Sequence, residues 1–367
     1  MSRNIESVAA VAPATGEPLV VESVEVRAPE SHEVLVQMKA SGLCHTDFSM
    51  MTGDFPGTAL PAVLGHEGAG VVLECGRDVD GVQPGDHVIL SNIAHCGVCT
   101  SCRTGKSSFC AETANAGSRR PVYTWRGKEI ASAGVVASFA RHSVLPAGNL
   151  IKIPSDMPFD SAALVPCGVI AGMGAALSSA EVSEGSTVVV IGMGSVGLNV
   201  IQGARIAGAA RIVAVDTNSS KEDAAKRFGA TDFLQPIATE NTLADQVTEL
   251  LSGPADYSFE CVGNTRLIEQ ALAMVNPFSG VCVAVGIAPG GSELTLPASR
   301  FWMGRRLQGT FLGNVNPLTD IPRIVDWYCD GTVLLDELVT HRLNHANIND
   351  GFDLVSSGQA VRTVVVY

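Results

Sequence analysis

The sequence predicts a two-domain α/β protein, a β-rich lobe (barrel or sandwich) joined to a doubly wound parallel sheet, on three observations. Residues 1–90 read as short strands punctuated by Gly and Pro; Pro18-Leu-Val-Val-Glu-Ser-Val-Glu-Val26 and Glu33-Val-Leu-Val-Gln-Met-Lys39 alternate polar and apolar, as half-buried strands do. From Ser186 onward, apolar runs rich in β-branched residues alternate with helical stretches at βαβ spacing. With 367 residues, 46% hydrophobic and 17% charged, the chain can build two cores and is not disordered.

Charge narrows the partners. A net charge of −13 argues against nucleic acid and anionic membrane surfaces. The N-terminal stretch lacks an apolar core of signal length, so a cytoplasmic address is expected. Two charge-free windows, 161–180 and 185–204, are long enough for membrane spans, but the first holds Pro166 and the second five glycines. Both are expected to be buried elements.

In the β-rich lobe, Gly68-Ala-Gly-Val-Val-Leu-Glu-Cys75 is a further strand, and Pro84-Gly85-Asp86 turns the chain into another at His87. Cys96, Cys99, Cys102 and Cys110 then form a C-x-x-C-x-x-C-x7-C array within 95–111. Four thiolates on one loop suit a closed, structural zinc site. An iron–sulfur cluster also takes four cysteines, but the bacterial ferredoxin pattern carries Pro after the last, where Ala111 stands here. The isolated Cys75, Cys261, Cys282 and Cys329 are expected to pack. Residues 161–178 are expected to form a helix carrying Cys167.

A second constellation gathers Gly42-Leu-Cys44-His45-Thr46-Asp47, Gly65-His66-Glu67 and Pro166-Cys167-Gly168. Two thiolates and one imidazole make three protein ligands, and a catalytic zinc keeps its fourth position open. Cys44, His66 and Cys167 are the candidate ligands.

Strand 186–191 runs into Gly192-Met-Gly194-Ser-Val196-Gly197, which opens a helix to Ala207; the strand from Arg211 then ends at Asp216. This is the context a dinucleotide fingerprint requires. Gly192 is expected to make the tight turn, Gly194 to let the backbone approach a pyrophosphate, and Gly197 to pack helix on strand. Asp216 would bind ribose hydroxyls and repel a 2′-phosphate, favouring NAD. Helices near 219–228, 241–252 and 265–275 alternate with strands near 232–234, 257–262 and 280–285; beyond 300 the pattern turns irregular until a last strand, 360–367, that could return to the N-terminal lobe.

These motifs, with Thr124-Trp-Arg-Gly-Lys-Glu-Ile130, Phe259-Glu-Cys-Val-Gly263 and Val361-Arg362-Thr363, span nearly the whole chain, which resembles the zinc-dependent medium-chain alcohol dehydrogenases. The resemblance implies a GroES-like catalytic domain from 1–160 and 300–367 and a Rossmann NAD-binding domain from 161–299. It implies two zinc ions, one catalytic and one structural, reversible oxidation of an alcohol to an aldehyde, and a homodimer or homotetramer. By the same resemblance Glu67 approaches the metal, Asp47 orients the ligand imidazole, Thr46 bonds the substrate oxygen, His45 and Arg362 lie near the cofactor pyrophosphate, and Lys221 near the adenosine ribose. Ser49 stands where many members end the proton relay with His. Small Ala133 and Gly134, with Phe55 and Trp302 on the wall, favour bulky aryl, allylic or terpenoid primary alcohols. Members acting on S-(hydroxymethyl)glutathione carry an Arg soon after the fourth loop cysteine; here Arg119 and Arg120 come later. That activity, and oxidation of secondary alcohols or polyols, are the alternatives; a catalytically silent relative would be marked by a lost ligand.

Overall fold

The structure, a computed structural model, describes residues 4–55, 57–114 and 120–367. Two compact units form it, Met1–Cys167 with Asn316–Tyr367, and Gly168–Val315.

The first unit opens with β1 (Ile5–Ala12), β2 (Val20–Val26), β3 (Glu33–Leu43), α1 (His45–Thr52), β4 (Ala62–Val63), β5 (Gly68–Cys75) and β6 (His87–Leu90). Short helices α2 (Thr100–Arg103) and α3 (Ala111–Ala114) follow, then β7 (Tyr123–Trp125), β8 (Lys128–Ser132), β9 (His142–Pro146), β10 (Leu150–Lys152) and α4 (Phe159–Leu164). The second unit holds α5 (Ile170–Gly174), β11 (Thr187–Ile191), α6 (Ser195–Ile206), β12 (Arg211–Val215), α7 (Glu222–Phe228), β13 (Asp232–Leu234), α8 (Leu243–Leu251), β14 (Tyr257–Glu260), α9 (Thr265–Met274), β15 (Val281–Ala284) and β16 (Arg306–Gly309). The chain then rejoins the first unit through α10 (Pro317–Cys329), β17 (Val339–Asn344), α11 (Ile348–Ser356) and β18 (Arg362–Val366).

In the first unit β1, β2, β7, β8 and β4 close a barrel. A seven-stranded sheet lies in the same unit, ordered β10-β6-β5-β3-β18-β17 with β9 also pairing β3. Leu64, Tyr123 and Phe139 are completely or almost completely buried in the barrel core. The last strand does return to the N-terminal lobe: β18 runs antiparallel to β3, with Thr363 opposite Leu43.

Three expectations of the fold need correction. Residues 1–90 are not all β, because His45–Thr52 form α1, capped at its end by Gly53 in the left-handed region at φ +87°. The stretch after 300 is more regular than its pattern suggests. Pro322 reads as a breaker, yet it sits inside α10, where Asn316 caps the first turn and Ile321, Ile324 and Val325 make a buried stripe.

The joins also fall later than 160/161 and 299/300, at 167/168 and 315/316. The reason is that α4 packs on β3 and β5, which keeps Phe159–Cys167 with the first unit. The continuous helical stretch Phe159–Ser179 is long and apolar enough to cross a membrane but is mostly buried inside the protein. Its turn at Val165–Val169 widens to π geometry at Pro166, which has no N–H to continue the ordinary ladder.

The second unit is a six-stranded, all-parallel sheet ordered β13-β12-β11-β14-β15-β16. Strand order reverses at β11, so a crevice opens at the carboxyl end of that strand, where the glycine loop begins.

Candidate functional site

Strand register assembles the first site. Leu43 ends β3, and Cys44 caps α1. Across the β3–β5 ladder, Gly42 N–H donates to the Glu67 carbonyl at 3.0 Å. Across the β3–β18 ladder, the Thr363–Leu43 pairing brings Arg362 to the level of Cys44. Cys167 arrives on the widened helical turn.

The donor atoms of Cys44, His66, Glu67 and Cys167 all lie within 4.8 Å of one another. Cys44 Sγ is 4.0 Å from Cys167 Sγ, and His66 Nε2 is 3.3 Å from Cys167 Sγ. Sulfurs on a tetrahedral zinc, each about 2.3 Å from the metal, stand about 3.8 Å apart, so the donor set fits that ion. Asp47, fully buried, accepts from Gly65 N–H at 3.0 Å and lies 3.1 Å from His66 Nδ1. That contact places the imidazole proton on Nδ1 and leaves Nε2 free as a ligand.

Electrostatics tie the group together. The Cys44 thiol is held well below the usual cysteine range, first by its hydrogen bond with Cys167 and then by the charges of His66 and Arg362, against the opposing effect of burial. Cys167 is pushed well above that range, chiefly by the same bond. The two shifts describe one pair that readily holds a single thiolate. Burial pushes Glu67 up to about 7, with Arg362 pulling the other way. Glu67 and Arg362 are in ionic contact, 0% and 7% exposed, without a well-aligned hydrogen bond.

Thr46 and Ser49, three residues apart on α1, share a face and are half-buried. His45 is exposed, its ring 5.6 Å from that of Phe48.

The Cys96, Cys99, Cys102 and Cys110 sulfurs also lie within 4.8 Å of one another. Cys96 Sγ is 3.9 Å from Cys102 Sγ and accepts Cys99 N–H at 3.4 Å, while Cys99 Sγ accepts Cys102 N–H at 3.5 Å. Backbone N–H groups of Ala111 and Cys102 pull Cys99 down to about 6. A closed tetrahedral site fits these donors.

In the second unit a cavity of about 370 Å³ is lined by Gly192, Met193, Gly194, Asp216, Lys221 and Val262, among others. Gly192 adopts φ +95°. A Cβ on Gly197 would overlap the Gly192 carbonyl oxygen, whereas one on Gly194 would meet nothing within 4 Å. The open approach at Gly194 is the clearance a pyrophosphate needs. Asp216 Oδ2 accepts Met193 N–H at 2.8 Å and Lys221 Nζ at 3.0 Å, and Oδ1 accepts Asn218 N–H at 2.9 Å. Val196 is half-buried and Gly197 buried on α6, and neither lines the cavity.

A further cavity, of about 420 Å³, lies in the first unit, with Met50, Phe55, Arg120, Ala133 and Gly134 among its lining residues. Trp302 is not among them; it belongs to the other unit and is 79% exposed. Arg119 lies outside the described residues, and Arg120 pairs with Glu30 at 3.2 Å.

Three participants escape motif reading. A Cβ on Gly42 would overlap Glu67 Oε2, so that glycine is required by its neighbour across the ladder. Ser195, 6% exposed in the first turn of α6, has a hydroxyl without a partner among the described residues; its place inside the fingerprint is the signal that could have found it. Ser138 bonds to both ligand-bearing segments and carries no local signal.

A barrel with a three-donor soft site, a four-cysteine loop and a dinucleotide fold define a zinc- and NAD-dependent oxidoreductase. The alcohol dehydrogenase GroES-like domain family matches residues 30–155, and the zinc-binding dehydrogenase family matches 195–328. The chain is 40% identical to S-(hydroxymethyl)glutathione dehydrogenase of Paracoccus denitrificans, over 98% of this chain and 99% of the relative. Among solved structures, an alcohol dehydrogenase zinc-binding domain protein from Burkholderia ambifaria superposes with a TM-score of 0.92 at 32% identity, covering 99% of both chains. Benzyl alcohol dehydrogenase from Acinetobacter calcoaceticus superposes at 0.91 and 28% identity, again over 99% of both. The chain belongs to the zinc-dependent medium-chain alcohol dehydrogenase family.

Proposed function

We propose that this enzyme oxidises a bulky, largely apolar primary alcohol, aryl, allylic or terpenoid, to the aldehyde, with hydride passing reversibly to NAD. The supporting observation is the cavity of about 420 Å³ with Phe55, Ala133, Gly134 and Ile130 in its lining. Met50 in its wall lies on α1, about 9 Å along the helix axis from Cys44 at 1.5 Å per residue. Ala133 in that lining stands where a larger side chain would narrow the cavity, whereas a Cβ on Gly134, at φ +64°, would press on Asn92.

In this reading Cys44, His66 and Cys167 hold the catalytic zinc, and Cys96, Cys99, Cys102 and Cys110 hold the structural one. The catalytic zinc supplies Lewis-acid polarisation of the substrate oxygen, and NAD supplies the hydride acceptor. Asp47 fixes the His66 ring. Thr46 takes a hydrogen bond from the alcohol and moves its proton along the α1 face that Ser49 shares. Ser49 passes protons without titrating near neutrality, so the pH–rate profile lacks the inflection a relay histidine would give. Glu67, held by Arg362, supplies a carboxylate beside the ligands. Gly192, Gly194 and the first turn of α6, with Val196 and Gly197 shaping that turn, receive the pyrophosphate; Asp216 with Lys221 receives the adenosine ribose; His45 and Arg362 are assigned to the cofactor phosphates by the family resemblance alone.

The second reading is oxidation of S-(hydroxymethyl)glutathione, favoured by the name of the Paracoccus relative. Against it, Arg120 at the cavity is already paired with Glu30, and a tripeptide carboxylate would have to displace that partner. Values of kcat/KM for benzylic, allylic and aliphatic alcohols beside S-(hydroxymethyl)glutathione decide between them. A preference for the glutathione adduct overturns the first reading.

A further inference from the structure

The stretch Phe259-Glu260-Cys261-Val262-Gly263 leaves β14 beside the glycine-loop crevice and carries a carboxylate into the interior. Glu260 ends β14 and is 0% exposed. Its Oε1 accepts Val262 N–H at 2.9 Å, Gly263 N–H at 2.9 Å and Asn264 N–H at 3.3 Å, and its Oε2 accepts Gly263 N–H at 3.1 Å. Three consecutive backbone groups thus converge on one side chain. The Glu260 carbonyl accepts Val285 N–H at 2.8 Å and Gly286 N–H at 2.9 Å, which ties the same residue to the turn after β15. Among the described residues no cation pairs with the carboxylate.

A neutral side chain can hold a turn: Asn264, one step further on, accepts Arg266 N–H at 2.9 Å and Leu267 N–H at 3.4 Å as the cap of α9. A carboxylate withdrawn from water is costly unless donors replace its hydration. Burial presses Glu260 above the usual carboxylate range, and the N–H groups of Gly263, Asn264 and Val262 pull it back. Hydrogen bonds to an ionised acceptor are roughly twice as strong as neutral ones, so the loop is held more firmly than an amide would hold it. The side chain fixed in this way is Val262, which is 54% exposed and lines the cavity of about 370 Å³ with Asp216, Lys221, Leu243 and Leu267. Val262 and Asp216 flank the glycine loop: a Cβ on Gly192 would meet Val262 Cγ2 at 2.7 Å, and Asp216 accepts Met193 N–H. Cys261 N–H donates to the Ile191 carbonyl at 2.9 Å, which pins the start of the loop to the strand that delivers the glycines.

We propose that Glu260 is a positioning residue for the cofactor: through the backbone of Val262, Gly263 and Asn264 it holds the Val262 side chain as the apolar wall against which the adenosine half of NAD packs. The proposal rests on the reading that the glycine-loop crevice receives that half.

The test is calorimetric titration of the zinc-loaded enzyme with ADP-ribose, which carries the adenosine and pyrophosphate without the nicotinamide, beside initial rates against NAD. The variants are Glu260→Gln, Val262→Ala, the two combined, and Asp216→Ala. Gln places an N–H donor where a carboxylate oxygen accepted one, so Glu260→Gln is expected to weaken ADP-ribose at least tenfold and to raise KM for NAD to match, with kcat at saturating NAD within twofold of wild type. Val262→Ala is expected to weaken ADP-ribose about fivefold in the wild-type background and less than twofold in the Glu260→Gln background, since residues that act through one another are not additive. Where thermal melts show Glu260→Gln to be unfolded, Glu260→Asp, which keeps the charge and shortens the reach, carries the same cycle. Undiminished ADP-ribose binding in the Glu260 variant, additive losses in the double variant, or a fall in kcat with KM unchanged each overturns the assignment. Undiminished binding in Asp216→Ala overturns the crevice reading itself, and the proposal with it.

Discussion

Ser138 Oγ lies 2.7 Å from Ser41 Oγ, and both residues are completely buried. Ser41 stands three residues before Cys44 on β3. Ser138 N–H donates to the carbonyl of Gly65, the residue before His66, and the Ser138 carbonyl accepts from the hydroxyl of the terminal Tyr367. One serine therefore ties together the two segments that carry the first two candidate ligands. Ser138→Ala removes a buried hydroxyl partner and is expected to cost about 1–3 kcal/mol. Urea unfolding measures that loss, and zinc release to a chelator should quicken. Unchanged release would mean the ligands are held without this link.

The glycine loop separates two effects. Gly197→Ala puts a Cβ into the Gly192 carbonyl oxygen, a backbone atom that cannot swing aside. It should destabilise the unit by about 1–3 kcal/mol, as overpacking does. Gly194→Ala meets no protein atom and should leave the melting temperature unchanged while weakening NAD binding at least tenfold. Thermal melts and NAD titrations of the two variants check this. If Gly194→Ala binds NAD normally, the clearance there serves some other purpose.

Much of this was legible because it is local. The apolar run before Gly192 and the acidic residue ending β12 lie within one βαβ unit, and the four loop cysteines span fifteen residues, Cys96 to Cys110. Helix α1 was missed because His45–Thr52 is short, mostly polar or mixed, and begins without a side-chain cap bond. Helix α10 hid behind Pro322. The Glu67–Arg362 contact and the need for glycine at position 42 arise from the register of β3 against β5 and β18, which no periodicity encodes.

Buried His345 and half-buried His142 both contribute to the acid side of the stability profile. His345 donates through Nε2 to the Phe139 carbonyl at 3.0 Å, and His142 lies 2.9 Å from Ser7 Oγ. Burial lowers both from the ordinary value, with Arg141 adding to the effect at each. Once the pH falls below about 6.5, the unfolded chain takes up protons that the folded chain resists, so stability rises with pH up to that point and is lost as pH drops. Urea midpoints between pH 5 and 7.5 should show that slope. His345→Gln, which can keep the bond to Phe139 but cannot titrate, should reduce it by up to about one proton. An identical slope in the variant would exclude His345 as a contributor.

Asp47 gives the sharpest test of the three-donor site. Its Oδ1 serves both Gly65 N–H and His66 Nδ1, and the residue is 0% exposed. Asp47→Ala leaves a buried N–H without an acceptor and frees the imidazole to turn or change tautomer. Loss of such a supporting carboxylate typically weakens metal affinity about 10–100-fold. Zinc competition against a graded chelator should show one class of zinc released at that lower affinity. Asp47 bonds Gly65 and His66 and, among the described residues, none of the four loop cysteines, so a zinc held by the Cys96–Cys110 loop should be retained and acts as the internal control. Activity should fall with the weaker class and return when zinc is added in excess. Release of both classes together would indicate general unfolding, and release of neither would show that His66 is held without Asp47.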